Sequence, residues 1–251
     1  MYNFLNLKKV FNKFRYRVSR IINCQFFSLW RKIKAIGITR TLWLIEYSEW
    51  QQGGLNSAQG RGPLDGFGDA SPWYTYPAIE YLKQLDLTDA TLFEYGSGNS
   101  TNFWRSRVKE IVSVESSPEW FSLVSGNQTL NQKIMLRTEK AEYINSIKEV
   151  NATYDIIVVD GEYRQLCAIS ALDFLKKDGM LILDNSDWFT DITGELRSRG
   201  YMQIDFIGQG PINSYAWSTS IFIKEISKYS RQFLNGSIDV VGGITEDGIR
   251  K

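Results

Sequence analysis

The chain has 251 residues, 43% hydrophobic and 23% charged, with a net charge of +1, which is the make-up of a globular protein large enough for one α/β domain and an extension. It contains 0 His and 2 Cys, Cys24 and Cys167. That excludes Ser-His-Asp and Cys-His catalysis, histidine general bases, most transition-metal sites, a disulfide framework and a zinc pattern. Any metal would have to be held by oxygen ligands, and the cysteine usage fits a reducing, cytoplasmic compartment.

The small net charge hides an asymmetry. Residues 1–40 carry ten Lys and Arg and no acid, so the remaining residues sum to −9. Phe4, Leu7, Phe11, Phe14, Val18 and Ile21 recur at helical spacing between those cations. Residues 1–49 therefore read as a basic amphipathic extension. Three roles fit it: a helix lying on an anionic membrane surface, a helix packed on the rest of the chain, or an RNA contact. No apolar run approaches the roughly 20 residues of a membrane span, and no signal-peptide pattern is present.

Residues 50–70, rich in Gly, Ser, Asn and Gln, read as a linker or mobile loop. A folded domain is expected over 71–227. Its first helix lies in "SPWYTYPAIEYLKQLD", with Ser71 as its cap. Then the pattern alternates. Strands are predicted at Thr91–Tyr95, Ile111–Glu115, Lys133–Leu136, "YDIIVVD" and "GMLILDN", with helices following each, the fourth running from Tyr163 to Lys177 and the fifth from Ile192 to Arg199. The strands "YMQIDFIG" and "WSTSIFIK" close the series with no helix between them, so they can pair antiparallel. Continuous apolar cores such as "IIVV" suit central parallel strands covered on both faces. The fold class is a doubly wound, Rossmann-like α/β sheet. Residues 228–251 form a polar tail without an assignment.

The turn "EYGSGNS" follows the first strand and opens a helix. Such a turn can hold a triphosphate, a pyrophosphate or the amino-acid part of S-adenosylmethionine. No Gly-Lys-Ser/Thr follows, so a P-loop is excluded. Glu115 ends the next strand, where an acid binds ribose hydroxyls. The third Gly of the dinucleotide fingerprint is replaced by Thr101. Glu94 would disfavour a pyrophosphate and favour an ammonium.

Taken together, "EYGSGNS", "VSVES", "YDIIVVDGE" and "GMLILDN" resemble the class I S-adenosylmethionine-dependent methyltransferases over about residues 88–225. The resemblance implies a seven-stranded sheet whose last strand lies antiparallel between strands five and six. It implies that Glu94, Gly96, Ser97, Gly98 and Ser100 hold the methionine part, although many members have Gly where this chain has Ser100. It places Glu115 at the ribose, Ala141 and Glu142 beside the adenine, and Asp160 in the same cleft.

Asp160 ends strand four, and Asp184 and Asn185 end strand five. This is similar to the metal-dependent catechol and caffeoyl-coenzyme-A type O-methyltransferases, and the similarity implies Asp160, Asp184 and Asn185 as ligands of Mg²⁺ or Ca²⁺. The catalytic lysine of that group is unmatched, which leaves Asp160, Tyr163, Glu162 and Asp187 as candidate bases. Cofactor or substrate contact without metal, and ordinary turn chemistry, remain alternatives for the same residues. Trp73, Tyr76, Tyr215 and Trp217 are candidate acceptor contacts, and Arg164 could bind an anionic acceptor.

The expected activity is methyl transfer from S-adenosylmethionine to a hydroxyl of a small molecule, sugar or lipid-linked acceptor. No Asn/Asp/Ser-Pro-Pro-aromatic motif marks a nucleic-acid base methylase. The alternatives are an NAD(P)-dependent oxidoreductase and a non-catalytic membrane- or RNA-associated module. The expected location is cytoplasmic, or peripheral at a membrane through residues 1–40.

Overall fold

The computed structural model describes residues 36–60, 62–126, 128–150 and 152–224. Most of the basic extension, the amphipathic spacing within it and the 228–251 tail therefore lie outside the described residues. The described chain forms a seven-stranded sheet with helices on both faces. Its elements in order are α1 (Ile36–Ile45), a π-helix (Glu46–Gln51), α2 (Gly54–Gln59), α3 (Tyr76–Gln84), β1 (Thr91–Tyr95), α4 (Asn99–Arg105), β2 (Glu110–Glu115), α5 (Pro118–Ser125) and β3 (Gln132–Leu136). They continue through α6 (Lys140–Glu149), β4 (Tyr154–Val159), α7 (Arg164–Ala171), a 3₁₀ turn (Leu172–Phe174), β5 (Leu175–Asp184), α8 (Thr190–Ser198), β6 (Met202–Gly208) and β7 (Trp217–Ile223).

The strand order is β3-β2-β1-β4-β5-β7-β6. Strands β1 to β5 pair in parallel. Strand β7 lies between β5 and β6 and runs antiparallel to both. This is the doubly wound topology expected from the alternating pattern, with the last strand where the resemblance implied it. The order reverses between β1 and β4, so a crevice opens where their carboxyl ends part.

The apolar runs explain the layers. All six residues of β4 are buried. Alternate side chains of a strand face opposite sides, so Ile156 and Val158 join Ile79, Leu82, Phe103 and Trp104 on one face. Ile157 and Val159 join Tyr143, Ile147, Cys167, Ala168 and Leu196 on the other. Each such side chain stabilises the fold by about 1.5–3 kcal/mol relative to exposure.

Three corrections to the sequence reading stand out. The helix predicted to reach Lys177 stops at Ala171, and β5 begins at Leu175. Lys176 is drawn to the sheet by its ion pair with Asp155 (2.8 Å), and a register shift between Tyr154 and Ile156 accommodates Asp178-Gly179 within the strand. The helix expected to be capped by Ser71 starts at Tyr76 with Thr75 before it; the Thr75 hydroxyl is instead bonded to the Phe206 carbonyl.

The third correction concerns residues 50–70. Rather than a linker, they carry the end of the π-helix, α2 and a bridge between Leu64 and Ala70. Gln51, Gln52 and Ser57 are buried there. Ser57 is matched locally: its hydroxyl donates to the Leu64 carbonyl and accepts from the Leu64 amide. Asn99, the first residue of α4, donates to the Pro63 carbonyl at 2.7 Å and ties this cover to the glycine turn.

Candidate functional site

The turns after β1, β4 and β5 all open at the same edge of the sheet. Gly96 has φ +95°, in the left-handed region that a side chain disfavours. A Cβ on Gly96 would lie 3.0 Å from the Gly161 Cα, and one on Gly161 would lie 2.0 Å from the Tyr143 hydroxyl and 2.8 Å from the Gly96 amide nitrogen. Two glycines thus let the β1 and β4 turns touch. The sequence reading passed over Gly161 and Tyr143; Gly161 after the Asp160 strand end was the available signal.

Glu94 is fully buried beneath the turn. Its carboxylate accepts from the hydroxyls of Ser100 (2.5 Å), Thr101 (2.6 Å) and Ser113 (2.8 Å). Burial raises its pKa to about 7, against the lowering effect of those three hydrogen bonds. It lines neither of the cavities described below and supports the turn from underneath.

Glu115 ends β2 and accepts four hydrogen bonds. Two come from the Ser97 amide and hydroxyl, and two from the amides of Ser116 and Ser117. The Trp120 indole donates to the Ser97 carbonyl and lies over the turn. Gly96, Ser97, Ser100, Glu115, Ser116, Tyr143 and Gly161 line a cavity of about 410 Å³. Ala141 and Glu142 are exposed at the start of α6 and line neither cavity; Tyr143, the next residue, does.

A second cavity, of about 810 Å³, shares Ser97, Ser100, Trp120, Asp160 and Arg164 with the first. Its walls include Trp73, Trp188, Ile212 and Tyr215, with Ser57, Gly62 and Pro63 of the 50–70 segment on one side. Trp188 and Tyr215 lie against each other, ring centroids 6.5 Å apart. Trp188 and the 57–63 wall were not among the sequence candidates. Of the four aromatic candidates, Trp73 and Tyr215 reach this cavity. Tyr76 packs in the hydrophobic core. Trp217 is buried too, and its indole donates to Asp184 Oδ1 at 3.0 Å.

Asp160, Arg164, Asp184 and Asn185 meet at the floor of this cavity. Asp184 Oδ1 also accepts from the Thr219 hydroxyl at 2.5 Å. Arg164 occupies the space between the carboxyl ends of β4 and β5. Its Nε donates to the Gly161 carbonyl (3.0 Å), Nη1 to the Asp184 carbonyl (2.7 Å) and to Asn185 Oδ1 (2.8 Å). Its Nη2 donates to the Asp160 carbonyl (3.1 Å) and lies 3.0 Å from Asp160 Oδ1.

This arrangement does not fit the Mg²⁺ or Ca²⁺ cage expected of Asp160, Asp184 and Asn185. A guanidinium stands where the three would converge, the Asn185 oxygen faces it, and one Asp184 oxygen is committed to Trp217 and Thr219. Arg164, in turn, is engaged by four hydrogen bonds and by its ion pair with Asp160, so its donors are directed at the protein and not at an anionic acceptor.

Burial, followed by the neighbouring Asp184 charge, pushes the Asp160 pKa well above the usual carboxylate range, with Arg164 opposing. Burial raises Asp184 to about 6, opposed by Thr219, Trp217 and Arg164. The other candidate bases sit apart. Tyr163 meets Tyr143 edge to face, with Lys140 over its ring. The Asp187 carboxylate accepts from the Ser218 amide. Glu162 borders the smaller cavity.

No family model and no curated protein matches the chain. Among solved structures, it is similar to a candidate S-adenosylmethionine-dependent methyltransferase from Streptococcus mutans (14% identity, TM-score 0.42), covering 58% of this chain and only 47% of that one. It is similar to precorrin-6y C5,15-methyltransferase from Geobacter metallireducens (15%, TM-score 0.47), covering 59% and 87% of the two chains. It is also similar to spermidine synthase from Thermotoga maritima (15%, TM-score 0.43), covering 59% and 56%. Likenesses this distant leave the function to be argued from the site.

Proposed function

We propose that the chain is an S-adenosylmethionine-dependent methyltransferase acting on a hydroxyl of a small molecule or sugar. The observation that carries this is the pair of joined cavities at the switch point, which meet at Asp160. One is bounded by the glycine turn and Glu115, the other by aromatic side chains.

The smaller cavity fits the cofactor. The Gly96–Gly161 contact leaves backbone where side chains would intrude. Glu115 stands at the end of β2, and its Ser97 hydroxyl partner can rotate away to admit a ribose hydroxyl without backbone movement. When bound there, S-adenosylmethionine supplies the methyl group. Trp73, Trp188 and Tyr215 offer flat faces to a ring, and holding the acceptor in line with the methyl group is the main requirement of such a transfer. Asp160 lies where the cavities join and would accept the proton of the acceptor hydroxyl. A carboxylate with a raised pKa is better matched to that task than an ordinary one.

A thermal-shift comparison separates this from an oxidoreductase. S-adenosylhomocysteine at about 100 times its Kd stabilises a binding protein by about 2.7 kcal/mol, so a rise of several degrees in Tm is expected, with no rise from NAD⁺ or NADP⁺. Stabilisation by a nicotinamide dinucleotide alone would sink the proposal.

We further propose that the basic extension brings the chain to an anionic membrane surface, which admits a lipid-linked acceptor. Nine of its ten cations precede α1 in the sequence and Arg40 lies in it, and Leu42, Leu44 and Ile45 of that helix are exposed. No helix among the described residues is long and apolar enough to cross a membrane. The full chain is expected to sediment with phosphatidylglycerol vesicles, not with phosphatidylcholine ones, and to release at 0.5 M salt, a concentration chosen to screen surface charge. Equal sedimentation with both lipids would remove the electrostatic role.

A further inference from the structure

We propose that Arg164 is a built-in cation that takes the place of a divalent metal between Asp160, Asp184 and Asn185. The argument rests on position and on donor count. The carboxyl ends of β4 and β5 bring two carboxylates and an amide oxygen to one gap, a set that would otherwise gather a hard cation. The first residue of α7 turns its side chain back into that gap. Tyr163, immediately before it, adopts the left-handed conformation with φ 50°, and the helix therefore starts where its first side chain can reach across to β5.

The guanidinium then makes contacts that a metal would make and some that a metal could not. It pairs with Asp160 and accepts the Asn185 oxygen as a partner. It also takes up the carbonyls of Asp160 and Gly161, just beyond β4, and of Asp184 at the end of β5. With four hydrogen bonds to fixed oxygens and an ion pair with Asp160, the planar fork is held in place. It is 5.4 Å from the Phe189 ring, which covers it from the α8 side. The guanidinium is part of the chain, so this cation does not depend on metal supply. Arg164 is thus a positioning residue. It fixes Asp160 and joins two strand ends.

The assignment can be read without any methyl acceptor, by titrating the full chain with Mn²⁺ and following heat and the Mn²⁺ paramagnetic resonance signal. The wild-type and Asp160→Asn chains are expected to give the same isotherm. Arg164→Ala is expected to add one Mn²⁺ site, about tenfold tighter than any in the wild type, and the added site should vanish in the Arg164→Ala/Asp160→Asn double variant. A wild-type site that Asp160→Asn removes would overturn the proposal, as would a folded Arg164→Ala chain that gains no site. If Arg164→Ala fails to fold, the wild-type and Asp160→Asn pair decides alone. Because metal binding is the readout, a failure here is distinguishable from a failure of the methyltransferase reading, which the S-adenosylhomocysteine shift tests.

Discussion

Replacing Gly161 by valine is expected to lower the affinity for S-adenosylhomocysteine about 100-fold, which corresponds to about 2.7 kcal/mol. The cause is contact, not charge. A Cβ at this position meets the Tyr143 hydroxyl at 2.0 Å and the Gly96 amide nitrogen at 2.8 Å. Tyr143 is buried, its ring against Tyr95 at 5.8 Å, so it cannot swing aside without disturbing the sheet. The Gly96 turn is backbone and hangs from the Val114 carbonyl. Either the turn or the tyrosine must shift, and both border the smaller cavity. Over-packing of this kind also destabilises the fold by about 1–3 kcal/mol. Titration calorimetry on folded protein separates the two effects. Gly194→Ala is the control, since a Cβ there has nothing nearer than 4.0 Å and binding should be unchanged. Affinity within threefold of wild type for Gly161→Val would show that the close approach of the two turns does not shape the cofactor cavity.

The second expectation concerns pH. Glu94 has a folded-state pKa of about 7 against an ordinary value of 4.5. The folded chain therefore binds this proton more tightly than the unfolded chain. Its contribution to stability is fully present below pH 4.5 and is lost as pH rises to about 7, a change of roughly 3 kcal/mol. Asp184, raised from 3.8 to about 6, acts in the same direction over a lower window. Urea unfolding at pH 5, 6, 7 and 8 should show stability declining through this range. Glu94→Gln keeps a neutral polar group under the turn and should flatten the decline. The variant is expected to lose stability at pH 5 and to lose less, or to gain, at pH 8. Parallel curves for the two proteins would mean that Glu94 is ionised throughout.

The parts of this site that end buried strands were legible in the sequence. Glu94, Glu115, Asp160 and Asp184 each follow an apolar run, and apolar runs are what mark β1, β2, β4 and β5. The order of the sheet followed from alternation and resemblance together. What escaped depends on contacts between segments far apart in sequence. Arg164 looked like a contact for an anionic acceptor because nothing local shows that its side chain folds back onto β5. Residues 50–70 looked like a linker because small polar residues that bond to nearby backbone, as Ser57 does to Leu64, have the composition of a loop. Tyr76 and Trp217 looked like pocket aromatics, but their neighbours in space, the core under α3 and the Asp184 carboxylate, bury them. Trp188 does line the cavity and carries no pattern to separate it from a surface tryptophan.

The insertion of β7 between β5 and β6 sets an order on synthesis. Among the described strands, residues 217–223 leave the ribosome last, yet β6 pairs with β7 alone of these and β5 needs it on its outer side. Until then the nascent chain presents β5 as an open edge, which invites pairing with other chains. It also lacks Trp217 and Thr219, the two donors that hold the Asp184 carboxylate. A chain stalled before residue 217 can therefore assemble the glycine turn and Glu115 but not the floor of the larger cavity. On the proposed function, the side that would hold the acceptor is completed by the last described strand, after the parts that would hold the cofactor.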